Sequence, residues 1–198
     1  MVSSKWGLWG GVFALLASLN VQASGGEVEQ RSEEALAVTQ SFMQQLGKTM
    51  MRTMKQEGPV AAIKVCAEQA PQMTAQISRQ RGWKVTRIGT RVRNPMLGMG
   101  DTWEQRVLAR FQQRLAEGDA LNTMVFAEIV TEPDGRYFRF AKAIGVKPKC
   151  LVCHGSKKDM PEAVQQLLQA RYPFDQATGY RPGELRGAVS IKQPLHSM

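Results

Sequence analysis

Cysteine and histidine are scarce in this chain of 198 residues, which holds three of the first and two of the second. Three thiols allow one disulfide and a leftover, so a scaffold stapled by several bridges is excluded. The histidines, His154 and His196, are too few for a histidine-based catalytic or metal centre that also needs acid and base partners. There is no internal repeat, no low-complexity segment and no linker long enough to divide the chain. Beyond the first two dozen residues, no run is apolar enough to cross a bilayer.

Those first residues are themselves distinctive. Met1–Lys5 carry one positive charge, residues 6–19 are apolar or small, and Val21-Gln22-Ala23 offers a small-residue processing site. The pattern reads as a secretory signal peptide over residues 1–23, cleaved after Ala23, with an uncleaved N-terminal anchor as the alternative. The expectation is an exported, periplasmic protein made of one domain over residues 24–198. The net charge of +9 favours an acidic protein partner or an anionic surface, and export makes nucleic acid an improbable one.

The cysteines are concentrated where they can do chemistry. Cys150-Leu151-Val152-Cys153-His154 is a C-x-x-C-H pentapeptide, the signature for covalent attachment of haem c. The two thiols add to the haem vinyl groups as thioethers, and the histidine that follows supplies an axial imidazole. Two alternatives stand beside it: a redox dithiol, or half of a zinc site. A dithiol motif follows a strand and opens a helix, whereas Pro148 and Lys149 precede this one and Gly155 follows it. A zinc site needs four ligands, and outside the pentapeptide the chain adds only Cys66 and His196.

Around this motif the periodicity predicts an α+β fold. A long helix spans Glu27–Glu57, with Leu36, Met43, Leu46, Met50 and Met54 as its apolar stripe. Gly58-Pro59 opens a second helix whose inward face holds Ile63, Cys66, Ala70, Met73 and Ile77, interrupted near Pro71. Trp83–Arg93 is strand-like, with Arg87, Arg91 and Arg93 on one face, where they either pair with haem propionates or blunt a solvated edge. Asp101 and Glu104 form a capping box for a helix that buries Trp103, Val107, Phe111 and Leu115. Thr123–Thr131 and Arg136–Ile144 make a hairpin, Pro161–Ala170 a short helix and Leu185–Gln193 a last strand, giving an antiparallel sheet.

With these residues in place the chain resembles a family of exported c-type haem domains with a PAS-like fold, often the sensory part of signalling proteins. The resemblance runs over roughly residues 30–194. It is carried by Val65-Cys66-Ala67, Arg91-Val92-Arg93-Asn94-Pro95, Trp103-Glu104, Lys149 to Gly155, Tyr172-Pro173, Gly179-Tyr180 and Arg186-Gly187-Ala188-Val189-Ser190. It implies a five-stranded PAS-like core with long N-terminal helices and one covalently bound haem c. It further implies His154 and Cys66 as the two axial ligands of the iron.

The spacing independently singles out Cys66 as the odd thiol, with His196, a lysine, Met96, Met99, Met124, Met160 or an open site as rivals for the sixth position. The expected function is a monohaem sensor of redox state or of a diatomic gas, not an enzyme. A diffusible electron-transfer cytochrome is the alternative. Cys150, Cys153, His154, Cys66, Arg91 and Arg93 form the expected cofactor site, with His154 and Cys66 on the metal.

Overall fold

The structure, a computed structural model, describes residues 15–195, with side-chain environments from residue 25 onward. Residues 1–14 of the expected signal segment and the rival ligand His196 lie outside the described residues. The backbone from residue 15 belongs to helix α1 (Leu15–Glu57), which runs through the expected processing site without a break.

Helix α1 buries Ala35, Thr39 and Phe42, at spacings of four and three. Leu36, Met43 and Leu46 flank that line and are half-buried, so the buried centre sits to one side of the expected methionine stripe. Phe42 sets this rotation: it is 2% exposed and packs among Trp83, Phe138 and Phe140.

The expected second helix is three segments in continuous succession. They are α2 (Pro59–Lys64), a π-helical turn (Val65–Gln69) and α3 (Ala70–Arg81). Pro71 lacks an N–H and its ring collides with the carbonyl four residues back in a regular helix, and the wider turn just before it accommodates both. The extra residue per turn alters the inward face. Val65 and Ala70, five apart, are buried at 2% and 1%, while Cys66 is only half-buried. A strict 3.6-residue period put Cys66 inside with Ile63 and Ala70, and the π turn corrects that.

The sheet has four strands among the described residues, all antiparallel, in the order β1-β4-β3-β2. These are β1 (Lys84–Gly89), β2 (Val125–Glu132), β3 (Gly135–Gly145) and β4 (Leu185–Leu195). The five strands implied by resemblance are therefore four here. Strand β1 ends at Gly89, short of the expected Arg93, so Arg91 and Arg93 lie beyond the strand and are not on one strand face. The ladder ends where Gly89 meets Gly187, whose φ of 154° departs from regular strand geometry. Asn94 then caps a short helix, α4 (Pro95–Gly98), where a turn was expected.

Alternation along the strands gives the sheet two covered faces. Phe138, Phe140, Val189 and Ile191 point to α1 and α3. Ile88, Ala141, Ala143 and Ala188 point to α5 (Thr102–Ala116), which contributes Trp103, Val107, Leu108 and Phe111. The capping box is present in both directions, Glu104 N–H to Asp101 at 2.9 Å and Asp101 N–H to Glu104 at 2.8 Å. After β3 come α6 (Leu151–His154) and α7 (Glu162–Arg171), and a loop through residues 172–184 returns to β4. No described helix is long and apolar enough to cross a membrane.

Candidate functional site

The C-x-x-C-H segment folds as one compact turn. A 3-10 turn over Pro148–Cys150 runs straight into α6, so Cys150, Cys153 and His154 occupy successive positions of a single short spiral. Gly155 ends it by donating its N–H to the Leu151 carbonyl at 2.8 Å. A Cβ at Gly155 would stand 2.7 Å from that oxygen, so the close approach requires glycine.

The loop before β4 wraps this turn through its own backbone. Gly179 N–H donates to the Gly155 carbonyl at 2.7 Å, Tyr180 N–H to the His154 carbonyl at 2.9 Å, and Gly183 N–H to Val146 at 2.9 Å. Asp175 steadies the loop from inside, its Oδ1 accepting from Ala177 N–H at 2.7 Å.

That loop also fixes the histidine. Nδ1 of His154 is 2.8 Å from the Ala177 carbonyl. A carbonyl only accepts, so Nδ1 carries the proton and Nε2 keeps the lone pair. Burial, reinforced by the nearby cations Arg93 and Arg186, pulls the imidazole from 6.5 down to about 3. Arg87 pulls the same way and the Ala177 hydrogen bond opposes it. The ring is therefore a neutral base at any physiological pH, with its second nitrogen held in place from behind, as an axial ligand needs.

Arg93 ties the site together. Its Nε donates to Asp175 Oδ2 at 2.9 Å, and its Nη2 donates to the carbonyls of Cys153 and Ala177. The pair is well buried, at 15% and 8% side-chain exposure, so the guanidinium is committed to holding α6 against the loop. Arg91 is similarly engaged. It donates to the Thr178 carbonyl at 2.9 Å and to Glu184 at 2.8 Å, and its guanidinium carbon lies 3.6 Å from the centre of the Tyr180 ring.

All three cysteines are free and half-buried. Cys153 packs with Ile63 of α2, Met160 and Leu168, and α2 leads directly into the π turn that holds Cys66. Burial pushes the Cys153 thiol up in pKa. Arg93 pulls against it, while Cys66 and Cys150 add to the rise. Cys66 follows Ile63 by three residues, and Ile63 packs in the cluster that holds Cys153. π turns recur at functional positions, and this one places the odd thiol next to the pentapeptide.

Of the methionine rivals, Met160 lies in the same cluster as Cys153. Met124 is fully buried under α5, and Met96 and Met99 are exposed. No three His, Cys, Asp or Glu side chains among the described residues are grouped so as to hold a bare metal ion. A haem places no such demand, because its thioether cysteines bind the porphyrin edge and only the axial residues meet iron.

Sequence reasoning missed the roles of Asp175, Ala177 and Tyr180. The Gly/Pro-rich run at 172–183 marked a loop, but a backbone carbonyl that orients a histidine leaves no side-chain signal.

The comparisons follow from these features. The model of the Tll0287-like family, described as Tll0287, matches residues 26–194. Among solved structures, the crystal structure of the cyanobacterial heme-protein Tll0287 superposes with a TM-score of 0.62 at 24% identity. The match covers 83% of this chain and 98% of that one, and it shows a shared fold. Comparison with curated proteins finds no match.

Proposed function

This chain belongs to the Tll0287-like family, and from that premise we propose that it is an exported haem c protein acting as a redox or gas sensor. The observation that carries the reading is the state of His154. A neutral imidazole closes a C-x-x-C-H turn, its Nδ1–H is given to a backbone carbonyl, and its Nε2 is free to donate. The name of the similar cyanobacterial heme-protein supports the same cofactor.

In this reading Cys150 and Cys153 would hold the haem as thioethers, and His154 and Cys66 would be the residues that meet its iron. The haem supplies a one-electron redox centre whose preference for thiolate weakens on reduction. The chain's own residues set the stage for that change. Arg93 and Ala177 hold α6 and the imidazole fixed, because both anchor points belong to the same loop. Cys66 stands on a π turn between α2 and α3, an element frequent at functional sites, and would be the residue whose hold on the group changes.

The sheet between α1 and α5 is read as PAS-like, and the first 23 residues as a cleaved signal that delivers the protein to the periplasm. A signal would leave through an acidic protein partner. Electron transfer is the second reading, favoured by the basic charge, +9 for the full chain and lower by Lys5 after processing, that suits docking to an acidic redox partner.

The test is spectroscopic. Purified from cells competent for cytochrome maturation, the wild type should show a low-spin ferric spectrum of a thiolate complex that changes on reduction and under CO. Cys66→Ala should lose the thiolate signature and Met160→Ala should keep it. An unchanged ferric spectrum in Cys66→Ala would remove Cys66 from the iron.

A further inference from the structure

We propose that Arg186, with Arg87 on the adjoining strand β1, is the anion seat of this site and holds a haem carboxylate. The inference rests on the haem reading above and assigns a role to a residue outside the C-x-x-C-H turn and outside the expected cofactor site.

The backbone aims this side chain. Ile144 and Gly145 are consecutive on β3, yet they pair with Gly187 and Leu185 on β4, so Arg186 is the extra residue of a β-bulge. A bulge breaks the alternation of faces and redirects one side chain. Gly187 makes it possible, because a Cβ there would lie 1.9 Å from the Ile88 carbonyl. The guanidinium then lies across the end of β1. Nη1 donates to the Arg91 carbonyl at 3.0 Å and sits 2.6 Å from where a Cβ on Gly89 would stand. Its carbon is 5.3 Å from the Tyr180 ring centre, and the edge of that ring meets His154 at 6.2 Å between centroids.

Among the described residues no carboxylate pairs with it. Among the described residues Arg91 is paired with Glu184 and Arg93 with Asp175, while neither Arg186 nor Arg87 has a carboxylate partner. Burial lowers the pKa of Arg186, Tyr180 opposes that shift, and Arg93 and Arg87 add like-charge repulsion. A desolvated cation without a counter-charge is costly, and proteins retain one where a ligand supplies the missing charge. A porphyrin held at Cys150 and Cys153 would carry two carboxylates, and a guanidinium matches carboxylate geometry. The ionisable groups facing the seat are Arg87 on β1, Arg91 and Arg93 after it, His154 on α6, and Tyr180 and Glu184 on the loop.

The experiment compares holoprotein of wild type, Arg186→Gln, Arg186→Lys and Arg136→Gln by midpoint potential against pH, with and without added phosphate. Arg136 is an exposed arginine on β3 and controls for loss of charge alone. Arg186→Gln should shift the potential downward, since a cation beside the iron no longer opposes the ferric charge. It should also gain a pH-dependent slope around the ordinary carboxylate range of about 4 to 5, where a carboxylate released from its guanidinium titrates. Arg186→Lys should recover most of both.

A potential and slope in Arg186→Gln equal to those of Arg136→Gln would overturn the proposal, as would a wild-type potential that moves with phosphate, which would mean a free anion occupies the seat. Where Arg186→Gln does not assemble, Arg87→Gln decides the matter in the same assay through a smaller downward shift or none. A wild type with no haem by pyridine haemochrome sinks the haem reading itself, a separate result.

Discussion

A buried arginine, Arg139, and a half-buried one, Arg186, are treated in opposite ways. Arg139 on β3 is 2% exposed. It donates to Glu132 and to Asp101 at 2.7 Å each, has Glu104 at 3.9 Å, and covers the Trp103 ring at 4.5 Å. Burial alone would lower its pKa, but Asp101 and Glu132 outweigh that and hold it above the ordinary guanidinium value. Arg186, on the bulge at the start of β4, has burial and two like charges against it, and its pKa falls. The first arrangement is closed and fastens α5 to the sheet. The second is open, and it adjoins the one turn of the chain that carries C-x-x-C-H. A buried charge matched by the protein's own groups is architecture, and one left unmatched beside a ligand-type residue marks where something else binds.

The largest effect expected from this contrast is at the closed end. Arg139→Met leaves Glu104, itself 4% exposed, without its cation and should cost about 3–5 kcal/mol in denaturant unfolding. The axial-ligand spectrum of the folded fraction should not move. A loss under 1 kcal/mol would mean the network is not a fastener.

Arg93→Gln strikes the other end. It removes the hydrogen bonds to Asp175, Cys153 and Ala177, and should cost roughly 2–3 kcal/mol together with a lower yield of attached haem. Full yield with wild-type stability would mean α6 is held by other contacts.

The pH response sharpens the comparison further. In a haem-free Cys150→Ala/Cys153→Ala protein, the folded pKa of His154 is about 3 against an ordinary 6.5. The unfolded chain therefore binds the extra proton between those values, so stability is fully present above about 6.5 and declines as pH falls toward 3. The Asp101 carboxyl adds its share lower down. Burial raises its pKa, but the Glu104 N–H and Arg139 outweigh that and leave it below 3.8, so its contribution is lost as pH drops through that region. Thermal melts from pH 7 to pH 4 should fall steadily, and a flat profile would contradict the burial of a neutral histidine.

The smallest effect is at Tyr180→Phe. The hydroxyl is bonded to Thr90 at 2.8 Å and accepts from Arg91 N–H at 3.0 Å. Its loss should cost about 1 kcal/mol, with the ring still edge-on to His154.

Much of the closed end was legible in the sequence. The capping box at Asp101 and Glu104, the 3.6-residue stripe of α5 and the alternating strands are local signals, each readable within a dozen residues. The pentapeptide was equally plain. What could not be read were the long-range commitments. Arg91 and Arg93 were expected on propionates or on a solvated edge, and their engagement by Glu184 and Asp175, some eighty or more residues later, had no local signal. Cys66 looked fully inward because a regular period was assumed, and Pro71 widens the turn instead. Arg186 was visible only as part of a motif, since a bulge arises from the pairing of two strands and neither strand announces it alone.

The account stands or falls on what is attached to Cys150 and Cys153. The direct measurement is the intact mass of the processed protein, purified under denaturing conditions from cells competent for cytochrome maturation. The prediction is one haem added to the mass of the polypeptide and a single thiol, Cys66, open to alkylation. A mass equal to the bare polypeptide, with three alkylatable thiols, would contradict it.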